Sequence, residues 1–496
     1  MIRPSVFRVA LALLAALPAV AQEIIPATPP PPAPTPTVAV PPLTLEECVA
    51  RALNKNFDLQ LQQFTTRNAR ESVIVADAFY DPTLFSTAAL AGRKTSSGDS
   101  FHDQSLRVGV SQRLETGAQL AVSTALNRNK TEPRVFNPVY NSDVAFSVSQ
   151  PLLQGFGLTI NRAAIERARL GVVRANYDYK SVVLALIRDV EAAYYNLAFA
   201  REQLAVRATS LEVAQTLLDE NSARLDTGVA TSLDVLQSDV GVANARRNLL
   251  LARQSVTDRE DDLLELIGRF EFDSSLGPVR LPDTPADPEI SFEHSYRLAL
   301  ANSPDYAARR VVAEQLQLDV EVAKNNRLPS VDLGAAVGLN GDRRDTAGGA
   351  FRSASSGDAY NWQVDLTVSI PWGLRAERAR YRQALNNLNR QETFIQQLDQ
   401  TLLLQVRSAV RAAETNRETV AVSALATRLS EQQFETEKAR YEAGLSTYRF
   451  VEDSRRDLDT ARVNELLAKV NFRIALAELS RLEGTSLDRY QVTFED

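Results

Sequence analysis

Two periodicities alternate along the chain, and each block of them occurs twice. Over long stretches apolar residues recur every three or four positions, as at Ile395, Leu398, Leu402, Val406 and Val410, the stripe of an amphipathic helix. Proline is absent between Pro151 and Pro278 and after Pro371, and glycine is absent between Gly171 and Gly228 and between Gly373 and Gly444. Without those breakers a helix can continue uninterrupted. The 70 residues between Gly373 and Gly444 span about 105 Å at about 1.5 Å per residue. Each long helix stops at a glycine, Gly228 or Gly444, and a Thr or Ser then opens a second helix, the punctuation of a helical hairpin. Hairpins this long need partner helices for their stripes, which predicts an oligomeric helical barrel.

Elsewhere the period drops to two. The segments 106–110, 119–126, 143–148, 331–339 and 362–370 alternate apolar with small or polar residues. Ten-residue alternation between polar loops is the signal of a transmembrane β-barrel. A soluble antiparallel sheet with one solvated face gives the same alternation. Tyr360, Trp362, Trp372, Phe85 and Tyr140 stand near segment ends, where an interfacial aromatic girdle is expected.

The blocks form a duplication. A shift of 216 lays residues 223–239 over 439–455, matching Ala223/Ala439, Arg224/Arg440, Gly228/Gly444 and Thr231/Thr447. A shift of 247 pairs 52–58 with 299–305, and one of 220 pairs 147–151 with 367–371. An internal repeat of this size implies a repeated architecture. The first copy carries 27 extra positions between its matched prolines and valines (Pro82 to Val148 against Pro329 to Val368). That is enough for one more hairpin, which either widens a barrel or stands outside it as a loop.

The N-terminus sets the compartment. Arg3 and Arg8 precede the apolar run 9–20, which ends in Ala19-Val20-Ala21, the form of a secretory signal peptide cleaved after Ala21. Residues 22–42 are a proline-rich extended tether. No later run reaches the roughly 20 apolar residues of a membrane helix, and with the export signal this favours the barrel. One cysteine, Cys48, and two histidines, His102 and His294, offer no metal cluster and no intrachain disulfide. A net charge of −7 with scattered basic residues argues against nucleic acid. No nucleophile triad, paired-acid site or phosphate loop stands in a suitable context, so neither an enzyme nor a cofactor is expected.

SVSQPLLQGFG (147–157), the doubled R-x-x-x-G-x-x-T/S turn and the ALxxN/S opening of each copy together resemble the TolC-type outer-membrane efflux protein family, from about Leu43 to Gly484. The resemblance implies an α+β membrane protein, an internally duplicated protomer of a trimer with a transmembrane β-barrel and a long periplasmic α-helical barrel. The expected boundaries are a first repeat at 43–277 (strands 82–152, helical hairpin 158–269) and a linker at 278–289. A second repeat follows at 290–485 (strands 329–372, helical hairpin 374–484), then a tail at 486–496. The implied function is passive conduction as the exit duct of a tripartite efflux or type I secretion system. Its implied partners are two further copies, a periplasmic adaptor, an inner-membrane transporter and outer-membrane lipid. In the family each protomer gives four barrel strands. A soluble periplasmic coiled-coil scaffold is the competing reading, and it leaves the doubled strand blocks unexplained.

Site residues follow from the same resemblance. Asp234 and Tyr441 match a carboxylate–hydroxyl contact that holds the two helical hairpins together in closed relatives. Asp453 matches an acidic position facing the pore constriction, where a threefold carboxylate ring favours cations. Phe450 replaces a second acidic position, and Arg449 stands near a missing arginine whose place Ser446 takes. Arg224, Gly228, Thr231, Ser232, Arg440, Gly444, Ser446 and Thr447 lie at the turns, where an adaptor would dock.

Overall fold

The computed structural model describes residues 43–132, 138–268, 276–279 and 290–493. The signal peptide with Ala19 and Ala21, the tether 22–42 and most of the inter-repeat linker lie outside the described residues. Each repeat opens with two successive helices: α1 (Leu45–Lys55) and α2 (Phe57–Asp77), then α5 (Phe292–Asn302) and α6 (Pro304–Asn325). The break falls at equivalent residues, Asn56 and Ser303. Both are extended and both accept a hydrogen bond from the amide three residues on, the N-cap geometry that restarts a helix.

Six strands follow in two groups: β1 (Thr83–Lys94), β2 (Ser100–Arg113), β3 (Gln119–Glu132) and β4 (Val139–Pro151), then β5 (Ser330–Arg344) and β6 (Tyr360–Ser369). They form one antiparallel sheet in chain order. A short helix, α7 (Ala347–Ser356), bridges β5 and β6. The extra hairpin of the first repeat is therefore part of the sheet.

The register sorts the side chains into two faces. Leu84, Val110, Val122, Phe146, Val337 and Trp362 are successive cross-strand partners, as are Leu106 with Leu126 and Leu333 with Leu366. Most of these apolar residues are exposed, for instance Leu84 and Trp362. The intervening positions, among them Ser105, Ser123, Ser147, Ala336 and Gln363, fill the other face. One face is fit for hydrocarbon and one for water. Phe85 belongs to the polar face, opposite Gly109, so it is not part of an outer aromatic girdle.

The long helices are α3 (Leu158–Asp226), α4 (Ser232–Leu266), α8 (Arg375–Glu442) and α9 (Tyr448–Glu483). None of the described helices is long and apolar enough to cross a membrane. The largest core packs α1 and α2 onto the middle of α3, with Cys48, Val49, Leu59, Ile187, Val190, Leu197, Leu263 and Ile267 buried. Burying each large aliphatic contributes about 1.5–3 kcal/mol. A second core joins α8 and α9 around Leu402, Val406, Val410 and Leu482. Residues 486–493 are not a loose tail: α10 (Ser486–Arg489) turns back, and Tyr490 donates to the buried Glu191 of α3 at 2.6 Å.

Candidate functional site at the helical turns

The turns joining α3 to α4 and α8 to α9 have one geometry. Gly228 and Gly444 both sit at φ +78°, a left-handed conformation that costs other residues about 1–2 kcal/mol. Val229 N–H donates to the Arg224 carbonyl at 2.8 Å, and Leu445 N–H donates to the Arg440 carbonyl at 2.8 Å, closing each helix end. Val229 and Leu445, equivalent in the 216-residue register, are 77% and 72% exposed. Each tip therefore presents an aliphatic side chain that the motif did not single out.

The helix starts differ. Thr231 and Asp234 form a capping box: Asp234 N–H donates to Thr231 Oγ1 at 3.2 Å, and Thr231 N–H donates to Asp234 Oδ2 at 2.9 Å. Thr447 makes no side-chain cap, and the position matching Asp234 is Phe450, whose side chain has no acceptor for the return bond to the Thr447 amide.

This geometry corrects the expected Tyr441–Asp234 contact. The Asp234 carboxylate is engaged by Thr231, and the Tyr441 hydroxyl donates to Asn221 Oδ1 instead. Asn221 Nδ2 donates to Ser238 Oγ at 2.7 Å, and Ser238 Oγ donates to the Asp234 carbonyl at 2.8 Å. Tyr441 thus reaches residue 234 through two buried intermediaries and ends on its backbone. Arg224 lies over the Tyr441 ring, 4.7 Å from its centroid. Burial raises the Tyr441 hydroxyl pKa, with the Arg224 charge opposing. A neutral tyrosine–amide bond contributes about 0.5–1.5 kcal/mol, against about 1.5–3 kcal/mol for a charged acceptor.

A stronger element lies deeper, about three turns along α3 from Asn221. Arg455 is buried between α9 and α3, donating to both Glu452 oxygens at 2.9 Å and to Asp459 at 2.9 Å. It also donates to Ser210 Oγ of α3 at 2.5 Å, so a first-repeat helix holds a second-repeat helix. Burial works against its charge, but the Glu452 hydrogen bonds hold the guanidinium pKa above the usual range. Gly241 of α4 faces this cluster: a Cβ there would lie 3.5 Å from Glu452 Oε1 and from Tyr448 Oη, ordinary contact. Tyr448 is fully buried beside Leu217, Phe434, Val451 and Leu458. In sequence, Arg455 was one charge among many on a helix; only its burial separates it.

The remaining expected positions are at the surface. Arg449 Nε and Asp453 Oδ2 pair at 3.8 Å on the exposed side of α9, with Phe450 57% exposed beside them. Arg449 is thus not seen bridging the hairpins. Gly228, Thr231, Ser232, Arg440, Gly444 and Thr447 are exposed. Arg440 Nη1 pairs with Glu437 at 3.0 Å, and Ser446 Oγ donates to Glu437 Oε1 at 3.0 Å. Arg224 is half-buried under its role at Tyr441.

Comparison with known proteins decides the family. The profile described as outer membrane efflux protein matches residues 48–269 and 295–485, the two repeats in turn. The chain belongs to the outer membrane efflux protein family. It is an outer-membrane protein whose long helices form the periplasmic part, and its α+β, duplicated architecture is that of TolC-type protomers. It is 28% identical over 335 residues to the pyoverdine export outer membrane protein OpmQ of Pseudomonas aeruginosa, an alignment covering 64% of this chain and 65% of that one. Identity to the toluene efflux pump outer membrane protein TtgF of Pseudomonas putida is 24%, covering 87% and 82%. Among solved structures, the outer-membrane channel OprN superposes with a TM-score of 0.69 at 20% identity, covering 89% of both chains. CusC superposes at 0.67 with 15% identity, covering 91% of this chain and 98% of that one. The likeness is to channels; no enzyme is among these relatives.

Proposed function

We propose that the chain is the exit duct of a tripartite efflux or type I secretion system, conducting cargo passively from a periplasmic pump and adaptor to the outside. The observation that carries this reading is the pairing of two equal helical hairpins with a sheet whose one face is apolar and exposed. Three copies close the helices into a cylinder and the sheets into a barrel. Apolar side chains left open on α4 and α8 in the single chain, such as Leu236, Val240, Leu425 and Leu429, then meet neighbouring copies. A soluble periplasmic scaffold would expose Val364, Leu366 and Val368 to water together, a patch that soluble proteins avoid.

The tip is the gate in this reading. Tyr441, Asn221, Ser238 and Arg224 tie the two hairpins weakly, while the Arg455 cluster ties them firmly about three turns of α3 further from the tip. A ring of Asp453 carboxylates and Phe450 side chains from three copies lines the narrowing. Val229 and Leu445, with Thr231, Ser232, Arg440, Ser446 and Thr447 around them, receive the adaptor. Single-channel recording in planar bilayers tests the gate. Tyr441→Phe with Asn221→Ala is expected to raise conductance, and Asp453→Asn to lower cation selectivity. Unchanged conductance and selectivity in these variants would remove the residues from the gate.

A further inference from the structure

We propose that the membrane wall of this duct is an eighteen-stranded barrel. Its bore is then as wide as the helical cylinder, so the size limit on cargo is set at the helical tip and not in the outer membrane. The inference rests on the three-copy reading above and goes beyond the twelve strands implied by the family resemblance.

The first observation is the sheet itself. Its six strands pair without interruption from β1 to β6, and the extra pair is anchored at its inner end. The β2–β3 turn packs into the segment that leads into α3: Gly117 sits at φ +94°, and a Cβ there would meet the Gly155 carbonyl at 2.5 Å and Pro151 Cγ at 2.9 Å. Gln150 Nε2 donates to the Thr116 carbonyl at 3.2 Å, and Arg162 pairs with Glu115. A hairpin fastened at the junction of strands and helices is not a loop standing free.

The second observation is that the extra strands carry the same two faces as the rest. Val108 and Val110 of β2 and Val122 and Leu126 of β3 continue the apolar face. A hairpin exposed to water on both sides has no need of it. Free main-chain edges remain only on β1 and β6 within this sheet. With an even strand number they run antiparallel to each other, so β1 of one copy can pair with β6 of the next in the same antiparallel sense. The apolar residues at these edges, Leu84 and Leu90 on β1 and Val364 and Leu366 on β6, are all at least 60% exposed.

The third observation is circumference. Three copies of a six-stranded sheet give eighteen strands. At a spacing of about 4.8 Å and a tilt of about 40° these close a circle of about 113 Å, whereas twelve strands close about 75 Å. Each copy contributes four helices that pack in the order α2, α3, α6, α8 and join the strands at one end, and twelve helices about 9 Å apart make a ring of about 108 Å. The wide barrel fits that ring without a funnel. Its inner face is also low. Asp365 and Asn361 lie over Gly334 and Gly338, and Phe85 lies over Gly109, each within 2.8 Å of where a Cβ would stand. The longer inner side chains there rest along the wall and leave the bore open.

The test uses full-length protein in outer-membrane vesicles, with the buried Cys48 left in place. Ala88→Cys combined in turn with Trp362→Cys, Val364→Cys, Leu366→Cys or Val368→Cys scans the seam. One combination is expected to link three chains on a non-reducing gel. Fluorophores at Val108→Cys and Val122→Cys are expected to be quenched by brominated lipid, and those at Arg107→Cys and Ser123→Cys by aqueous iodide. A disulfide between Ala88→Cys and Val144→Cys, three strands apart in this sheet, would mean the extra hairpin is expelled and would overturn the proposal. So would iodide quenching at Val108 and Val122 in a linked trimer. Counting strands by electron microscopy of the unsubstituted protein decides between the two walls if a variant misfolds: eighteen supports the wide wall and twelve overturns it. Absence of any three-chain assembly would instead overturn the duct reading.

Discussion

The two repeats agree in their helices and disagree in their strands. The long helices are 69 and 68 residues and their return helices 35 and 36, while the strands number four in the first repeat and two in the second. The physical reason lies in what each element must meet. A helix in a closed cylinder needs its turn at the same height as its neighbour's, so a change in length misplaces the tip. A sheet accepts any added hairpin, because two strands return the chain to the side it left. Between these two repeats the difference therefore falls in the number of strands and not in the length of the helices.

The largest expected effect breaks that contrast directly. Inserting four residues in α3 near Ala208 lifts the first tip by about 6 Å relative to the second. SDS-resistant assembly should be abolished, whereas the same insertion in the loop 95–99 should leave it intact. Next is Arg455→Met. It strands the buried carboxylates of Glu452 and Asp459 and should cost about 3–5 kcal/mol, read as a shifted denaturation midpoint. Glu452→Gln with Asp459→Asn should recover part of it, and Gly241→Ala beside the cluster should be neutral or stabilising.

A smaller effect separates the two turns. Asp234→Ala removes a capping box and should destabilise by about 1 kcal/mol. Phe450→Ala at the equivalent place should leave helix capping unchanged, since no cap exists there. Equal capping losses would mean the turns are not asymmetric.

The smallest effect concerns the C-terminal segment, which reaches back to Glu191 of α3. Burial raises the Glu191 pKa above its ordinary 4.5, against the opposing Tyr490 hydrogen bond and Arg489 charge. A raised carboxyl pKa means the folded chain holds its proton longer than the unfolded chain. The burial of Glu191 therefore costs stability as pH rises from about 4.5 through the folded pKa. Glu191→Gln should flatten that decline, measured as melting temperature against pH between about 4 and 8; parallel curves would contradict it.

Much of the fold was legible because it is written in period and punctuation. Missing prolines marked the four long helices, long glycine-free stretches marked most of α3 and α8, and Gly228 and Gly444 marked the turns. The place of the extra hairpin was not legible, since alternation shows a strand's faces but not its neighbours. At the tip, spacing located Tyr441 and Asp234 at the right turns yet misjudged their bond. A three-residue capping box competes for Asp234, and Asn221 arrives from thirteen residues upstream on another helix. Arg455 carried no sequence signal at all, because only packing of α3 against α9 turns a surface residue type into a buried one.

Closure of identical copies is the central requirement of this duct, and the native mass of the complex extracted from outer membranes in mild detergent tests it most directly. Three chains in one particle is the predicted result. A single chain that keeps its helices folded in detergent-free buffer would contradict it.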